Sequence, residues 1–277
     1  MMQRRTFIRP SVADAHSIPL NAFGKLMGEE QAHRLFIEGT PSDASRDLSK
    51  MKTQTSLVRC KGQEVKIHAI QTGSVAVKRS HLTDRTLHFL TPLKISLDKH
   101  FTEFMPIWVW VIEHPEGIIV IDTGENAEVM DPEYFLPAGK LVASYSKRNL
   151  KFHVRKENEI GFQLAQLGIK NEWIKNVVLT HLHLDHTDGL KDFRGVEIIL
   201  SADEWKNPTG HFPELVPDGF NPRTIHYKKD FVEVFDQAYP ITEAGDMLLV
   251  PTPGHTRHHA SVLFKTDDFD ILFAGDV

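Results

Sequence analysis

The chain has 277 residues, 41% hydrophobic and 25% charged, enough for one large domain or two small ones around a sizeable apolar core. Its formal net charge of −5 supplies no basic field for a polyanion, which argues against nucleic acid as a main partner. The single cysteine, Cys60, excludes an internal disulfide and any thiolate-rich metal site, so sixteen histidines direct any transition metal toward imidazole and carboxylate ligands.

No stretch approaches the roughly 20 apolar residues needed to span a bilayer, and no membrane partner is expected. Arg4-Arg5 and Phe7-Ile8 are followed by Arg9, Pro10, Ser11, Asp14 and His16 rather than the apolar run of an export signal. A cytoplasmic location is therefore expected. Residues 1–60 read as an N-terminal extension, with one amphipathic helix over Leu20 to Phe36 and a polar linker, GTPSDASRDLSKMKTQTS. Residues 61–277 read as the working domain.

From Val65 the pattern turns to short strands separated by turns and occasional helices. Val65 to Ile70 alternates as a half-buried strand should. Pro106 to Ile112 and Ile118 to Ile121 form a predicted hairpin, the second strand apolar throughout and ending in Asp122-Thr123-Gly124. Glu159 to Leu167 has helical spacing, with Gly168 as its stop. Asn176 to Thr180 is a buried strand that runs straight into His181. Further strands are expected at Val196 to Leu200, Thr224 to Tyr227, Phe231 to Phe235, Met247 to Val250, Ala260 to Phe264 and Ile271 to Ala274. This mixture implies a layered α/β architecture with mixed sheets.

Chemistry concentrates in His181-Leu182-His183-Leu184-Asp185-His186. On extended backbone His181 and His183 project to one side, and Leu182 and Leu184 point the other way into the core. If the chain then turns, Asp185 and His186 face the same cavity, and four nitrogen and oxygen donors surround one small volume. Such a volume suits zinc or a similar divalent metal, or a pair of metals roughly 3.5–4 Å apart. The competing reading is a polar strand end whose histidines only form hydrogen bonds. Two later strands also end on candidate ligands: Met247 to Val250 leads through Pro251-Thr252-Pro253-Gly254 to His255, and Ile271 to Ala274 leads through Gly275 to Asp276. Taken singly, His255 reads equally well as a surface histidine and Asp276 as a turn aspartate.

The succession DTG, HLHLDH, TPGHT and GD resembles the metallo-β-lactamase superfamily, from about Val65 to the last residue. Within it the chain is most similar to the N-acyl homoserine lactonases, the quorum-quenching family, through WVWVIEHPEGIIVIDTG, VVLTHLHLDHTDGL, ILSADEW, TPGHTRHHASV and LFAGDV. The resemblance implies an αββα sandwich with two zinc ions at one edge of its sheets. It implies that His181, His183 and His255 bind the first zinc, Asp185 and His186 the second, and that Asp276 bridges them. Asp122 would orient the histidine loop through hydrogen bonds. The implied reaction opens an acyl homoserine lactone ring by attack of a metal-bound hydroxide, with Asp185 as proton shuttle. The alternatives are a thioester hydrolase of the glyoxalase II type, a β-lactamase or phosphodiesterase, and a non-catalytic metal-binding remnant.

The chain departs from that family in three respects. Family members continue beyond the position of Asp276, adding a last histidine for the second metal and a substrate-binding tyrosine. The fold is thus expected to be incomplete at the C-terminus and the second zinc weakened, with a fragment of a longer enzyme favoured over a natural truncation. Arg257-His258 and Thr187-Asp188-Gly189 differ from the usual residues at the substrate mouth. His258 and His259 read as ordinary loop residues. Phe101, Phe104, Met105, Phe212 and Phe220 read either as lining for an acyl tail or as core.

Overall fold

The computed structural model describes residues 53–83 and 91–276. Eight strands form the first sheet: β1 (Thr53–Cys60), β2 (Gln63–Val77), β3 (Met105–His114), β4 (Gly117–Ile121), β5 (Leu150–His153), β6 (Ile174–Val178), β7 (Glu197–Ser201) and β8 (Arg223–Ile225). Their order is β1-β2-β3-β4-β6-β7-β8, with β5 beside the end of β2. The second sheet holds β9 (Lys228–Val232), β10 (Phe235–Pro240), β11 (Met247–Pro251), β12 (Ala260–Lys265) and β13 (Asp270–Phe273), in the order β13-β12-β11-β10-β9.

The apolar run of β4 is explained by burial on both faces. Ile119 and Ile121 face the second sheet, where they pack with Leu249, Val262, Phe264 and Phe273. Ile118 and Val120 face the opposite way, toward Ile160 and Leu164 of the helix Ile160–Gln166. Trp110 of β3 meets Phe273 of β13 with ring centroids 5.1 Å apart, tying the two sheets together. Burying a side chain such as Phe264 or Phe273, both fully buried, contributes about 1.5–3 kcal/mol. No helix among the described residues is long and apolar enough to cross a membrane.

Strand direction brings the candidate ligands together. β4, β6 and β7 are parallel, with Ile121 opposite Val178 and Val178 opposite Ile199, so all three finish at one edge. In the second sheet β11 and β13 both run antiparallel to β12, and so run in the same direction as each other. The segments leaving these strands carry Asp122, His181, Glu204, His255 and Asp276.

Three expectations are corrected. Thr53–Cys60, whose first residues were expected to be polar linker, is a strand paired along its whole length with β2. Cys60 accordingly lies in the core at 3% exposure rather than ahead of it. The single strand expected at Phe231 to Phe235 is the bend between β9 and β10, where Glu233 adopts φ 58° and reverses the chain. The helix expected at Leu20 to Phe36 lies outside the described residues.

Candidate metal centre

β6 ends at Val178, and Leu179–His183 leaves it as irregular rather than strand backbone, so the two histidines sit just beyond the sheet. Leu182 anchors the segment in the core, and Leu184 packs beside Phe135 and Phe212. A one-turn helix, Leu184–Thr187, then swings Asp185 and His186 back toward the same volume. The His181 ring lies 4.6 Å from that of His183, 4.1 Å from His186 and 4.9 Å from His255, centroid to centroid.

Five of the six residues expected to hold metal converge here, and the sixth, Asp185, lies at their margin. Donor atoms of His181, His183 and His255 lie within 4.8 Å of one another, as do those of His181, His186 and Asp276. The two oxygens of Asp276 divide between the groups: Oδ1 is 3.3 Å from His186 Nε2, and Oδ2 is 3.3 Å from His255 Nε2. Asp185 stands slightly apart, with Oδ2 3.9 Å from His186 Nε2 and its side chain 25% exposed.

Hydrogen bonds determine which ring nitrogens carry lone pairs. The Thr180 hydroxyl donates to Asp122, so its oxygen accepts from His181 Nδ1 at 3.0 Å. His181 Nε2 is then bare, buried and without a partner. His186 Nδ1 donates to Asp122 Oδ2 at 2.8 Å, which turns its Nε2 toward Asp276 Oδ1, 3.3 Å away. His183 Nδ1 lies 2.7 Å from His255 Nε2. Leaving buried nitrogens unsatisfied costs about 1–3 kcal/mol each. Imidazole lone pairs converging on a carboxylate are a donor set that divalent zinc-like cations satisfy.

Burial, reinforced by the neighbouring imidazoles, pushes the pKa values of His181 and His183 well below the usual histidine range, which keeps both in the neutral, ligating form. Burial also opposes a charge on His186, yet Asp276, Asp122 and Asp185 outweigh it and raise its pKa. Burial similarly opposes ionised Asp276, but His186 and His255 hold its carboxyl far below the usual range.

Asp122 is the organising residue. It is 2% exposed, adopts φ 60°, and accepts the Thr180 backbone N–H at 2.8 Å as well as the His186 ring. Its orienting hydrogen bonds are those the family resemblance implied. His259 corrects the reading of it as an ordinary loop residue. It is fully buried, its ring 5.0 Å from that of His181, and its Nε2 accepts the Asp276 backbone N–H at 3.2 Å. From Nδ1 a chain of hydroxyls runs through Thr252 and Ser261 to the Ala274 carbonyl. Both nitrogens are therefore taken, and His259 positions Asp276 without being available to a metal. Glu204, fully buried, was likewise not singled out.

The five residues read as acyl-tail lining or core are all half-buried. Phe212 packs on Phe135 and Phe220 on Trp205. Phe101 has the Lys78 ammonium 3.8 Å and the Lys151 ammonium 4.1 Å from its ring centre, so cations occupy its faces.

A second convergence of donors, Cys60, His114 and Asp246, lies at the far end of the sandwich. There the Glu116 backbone N–H donates to His114 Nδ1 at 3.1 Å, which places the ring proton on Nε2, 3.3 Å from Asp246. Cys60 and Thr242 also donate to Asp246. This group is a hydrogen-bonded carboxylate rather than a set of free lone pairs.

Residues 102–277 match the family model of the metallo-β-lactamase superfamily. The chain belongs to this superfamily. Among curated relatives, an N-acyl homoserine lactonase of Bacillus sp. is 26% identical over 163 residues, covering 59% of this chain and 60% of that protein. A probable metallo-hydrolase of Mycobacterium tuberculosis is 27% identical over 186 residues, covering 61% of this chain and 55% of the relative. The chain thus spans between about half and three-fifths of the length of these relatives. Among solved structures, an N-acyl homoserine lactone hydrolase with N-hexanoyl-L-homoserine at its catalytic metal center aligns with a TM-score of 0.57 at 19% identity, covering 78% of this chain and 75% of the other. A dizinc quorum-quenching lactonase aligns at 0.50 and 15% identity, covering 80% and 73%. At these identities the structural likeness establishes the metallo-β-lactamase fold.

Proposed function

We propose that this chain is a dinuclear zinc hydrolase that opens the lactone ring of N-acyl homoserine lactones. The observation that carries the reading is the placement of Asp276, whose two oxygens reach separately toward His186 and His255 at 3.3 Å each. In this reading His181, His183 and His255 hold one zinc, Asp185 and His186 hold the other, and Asp276 is shared. When bound, the metal pair supplies a water-derived nucleophile at neutral pH and an electrophile for the carbonyl. The chain's own groups do the remainder. Asp122 keeps the proton of His186 on Nδ1, which leaves Nε2 free to ligate. In this reading Asp185, which is partly open to solvent, would serve as the proton acceptor. No side chain is required as a nucleophile, consistent with the burial of Cys60.

The choice of an acyl lactone rests on the named activity of the relatives. Zinc content of the purified 277-residue chain, followed by parallel assays with N-hexanoyl homoserine lactone, S-lactoylglutathione and bis-p-nitrophenyl phosphate, tests it. Bound zinc and turnover of the lactone alone are expected. Preference for the thioester would transfer the chain to the glyoxalase II type, and silence on all three substrates with zinc bound would favour a non-catalytic role.

A further inference from the structure

Glu204 sits on the short helix Ala202–Lys206 that follows β7, with its carboxylate fully buried. Oε1 accepts the backbone N–H of Leu182, the residue between His181 and His183, at 3.2 Å. Oε2 accepts the hydroxyl of Thr256, the residue after His255, at 2.9 Å. One side chain thus holds two chain segments that are far apart in sequence and that carry three imidazoles. We propose that Glu204 is a positioning residue that sets the spacing between the His181–His183 segment and His255, and through it the affinity of that three-histidine group for metal.

The same stretch of chain touches the group twice more. At Gly210, which has φ 65°, an added Cβ would lie 2.8 Å from His183 Nε2. The backbone there covers the outer nitrogen of His183, leaving Nδ1 as the one that faces His255. His211 lies close enough to the Leu182 backbone for that backbone to act on its ring. Residues 204–211 therefore grip Leu182, His183 and Thr256 from one side. Burial raises the Glu204 pKa, so the carboxyl is held in an unfavourable environment and its two hydrogen bonds are what retain it there.

This assignment rests on the metal reading above, and the experiment separates the two. Glu204→Gln retains an oxygen for Leu182 N–H and offers an amide donor to the Thr256 oxygen, whereas Glu204→Ala removes both contacts and Thr256→Val removes only the His255 arm. Zinc affinity is measured on the full chain by chelator competition, the cobalt-substituted spectrum reports ligand geometry, and hydrogen exchange of the Leu182 amide is followed in metal-free protein. Glu204→Ala is expected to lose about 10–100-fold in zinc affinity, with an altered cobalt spectrum and rapid Leu182 exchange. Glu204→Gln is expected to stay close to wild type in all three. Thr256→Val is expected to weaken zinc while Leu182 stays protected, and it decides the matter if Glu204→Ala does not fold. Unchanged zinc affinity in a folded Glu204→Ala, or in Thr256→Val, overturns the proposal. A wild-type chain that binds no zinc but protects Leu182 overturns the metal reading and leaves the clamp standing. Rapid Leu182 exchange in the wild type overturns the clamp itself.

Discussion

The Nδ1 of His186 lies 2.8 Å from Oδ2 of Asp122, and this contact decides which nitrogen of the imidazole is presented to Asp276. Asp122→Asn retains the side-chain shape and a residue type that tolerates the positive φ. Its amide, however, cannot both accept from Thr180 and accept the His186 proton. The proton then moves to Nε2, the nitrogen that the proposed function assigns to the metal. Zinc affinity is expected to fall about 10–100-fold without loss of fold, measured by chelator competition beside circular dichroism.

Removing metal should expose a pH dependence. Burial holds His259 down to about 3, so between there and 6.5 the unfolded chain binds a proton that the folded chain refuses. Its stabilisation is complete above pH 6.5 and is lost as pH falls through that interval, at about 1.4 kcal/mol per pH unit. His181 and His183 act in the same direction, and His186, with its raised pKa, acts in the opposite one. Denaturant unfolding of metal-free protein at about pH 7.5 and about pH 5 should show the net loss, and His259→Gln should reduce the slope. An identical slope in that variant would contradict the assignment of His259 as a buried neutral ring.

Cys60 should be inert in the native protein. Burial, followed by its hydrogen bond to Asp246, pushes the thiol up to about 12. A disulfide exchange reagent at about pH 8 should leave it unmodified, with stoichiometric reaction only in denaturant. Fast native labelling would mean that β1 does not close over this end of the sandwich.

Gly275 immediately precedes Asp276 at φ 59°, and an added Cβ would stand 2.7 Å from His259 Nε2. Gly275→Ala should destabilise the chain by about 1–3 kcal/mol and shift Asp276 away from His186. Bound zinc should drop along with the melting temperature; unchanged zinc content would refute this role for the glycine.

How much of this could be read from sequence depended on distance along the chain. His181 to His186 announce themselves because four donors fall within six residues. His255 and Asp276 were legible as the polar ends of apolar strands. Glu204 and His259 were not, because Leu182, Thr252 and Asp276 become their neighbours only when strands pair, and Thr256 meets Glu204 only when the two sheets meet. β1 escaped detection because seven of its eight residues are at least partly exposed, so backbone pairing holds it with no hydrophobic period to betray it. The reversal at Glu233 carries no glycine or asparagine, the residues that ordinarily flag left-handed backbone.

The parallel alignment of Ile121 with Val178 and of Val178 with Ile199 has a consequence for how this protein tolerates alteration. Three consecutive strands release their loops at one height, so shortening any of those loops by a residue displaces Asp122, His181 or Glu204 relative to the other two. The turn at Lys61-Gly62 lies beside the Cys60–Asp246 contact at the opposite end, and a Cβ at Gly62 would meet nothing within 4 Å. Peptide tags or fused modules inserted there should leave the chemistry untouched, making that end the natural grafting point of the scaffold.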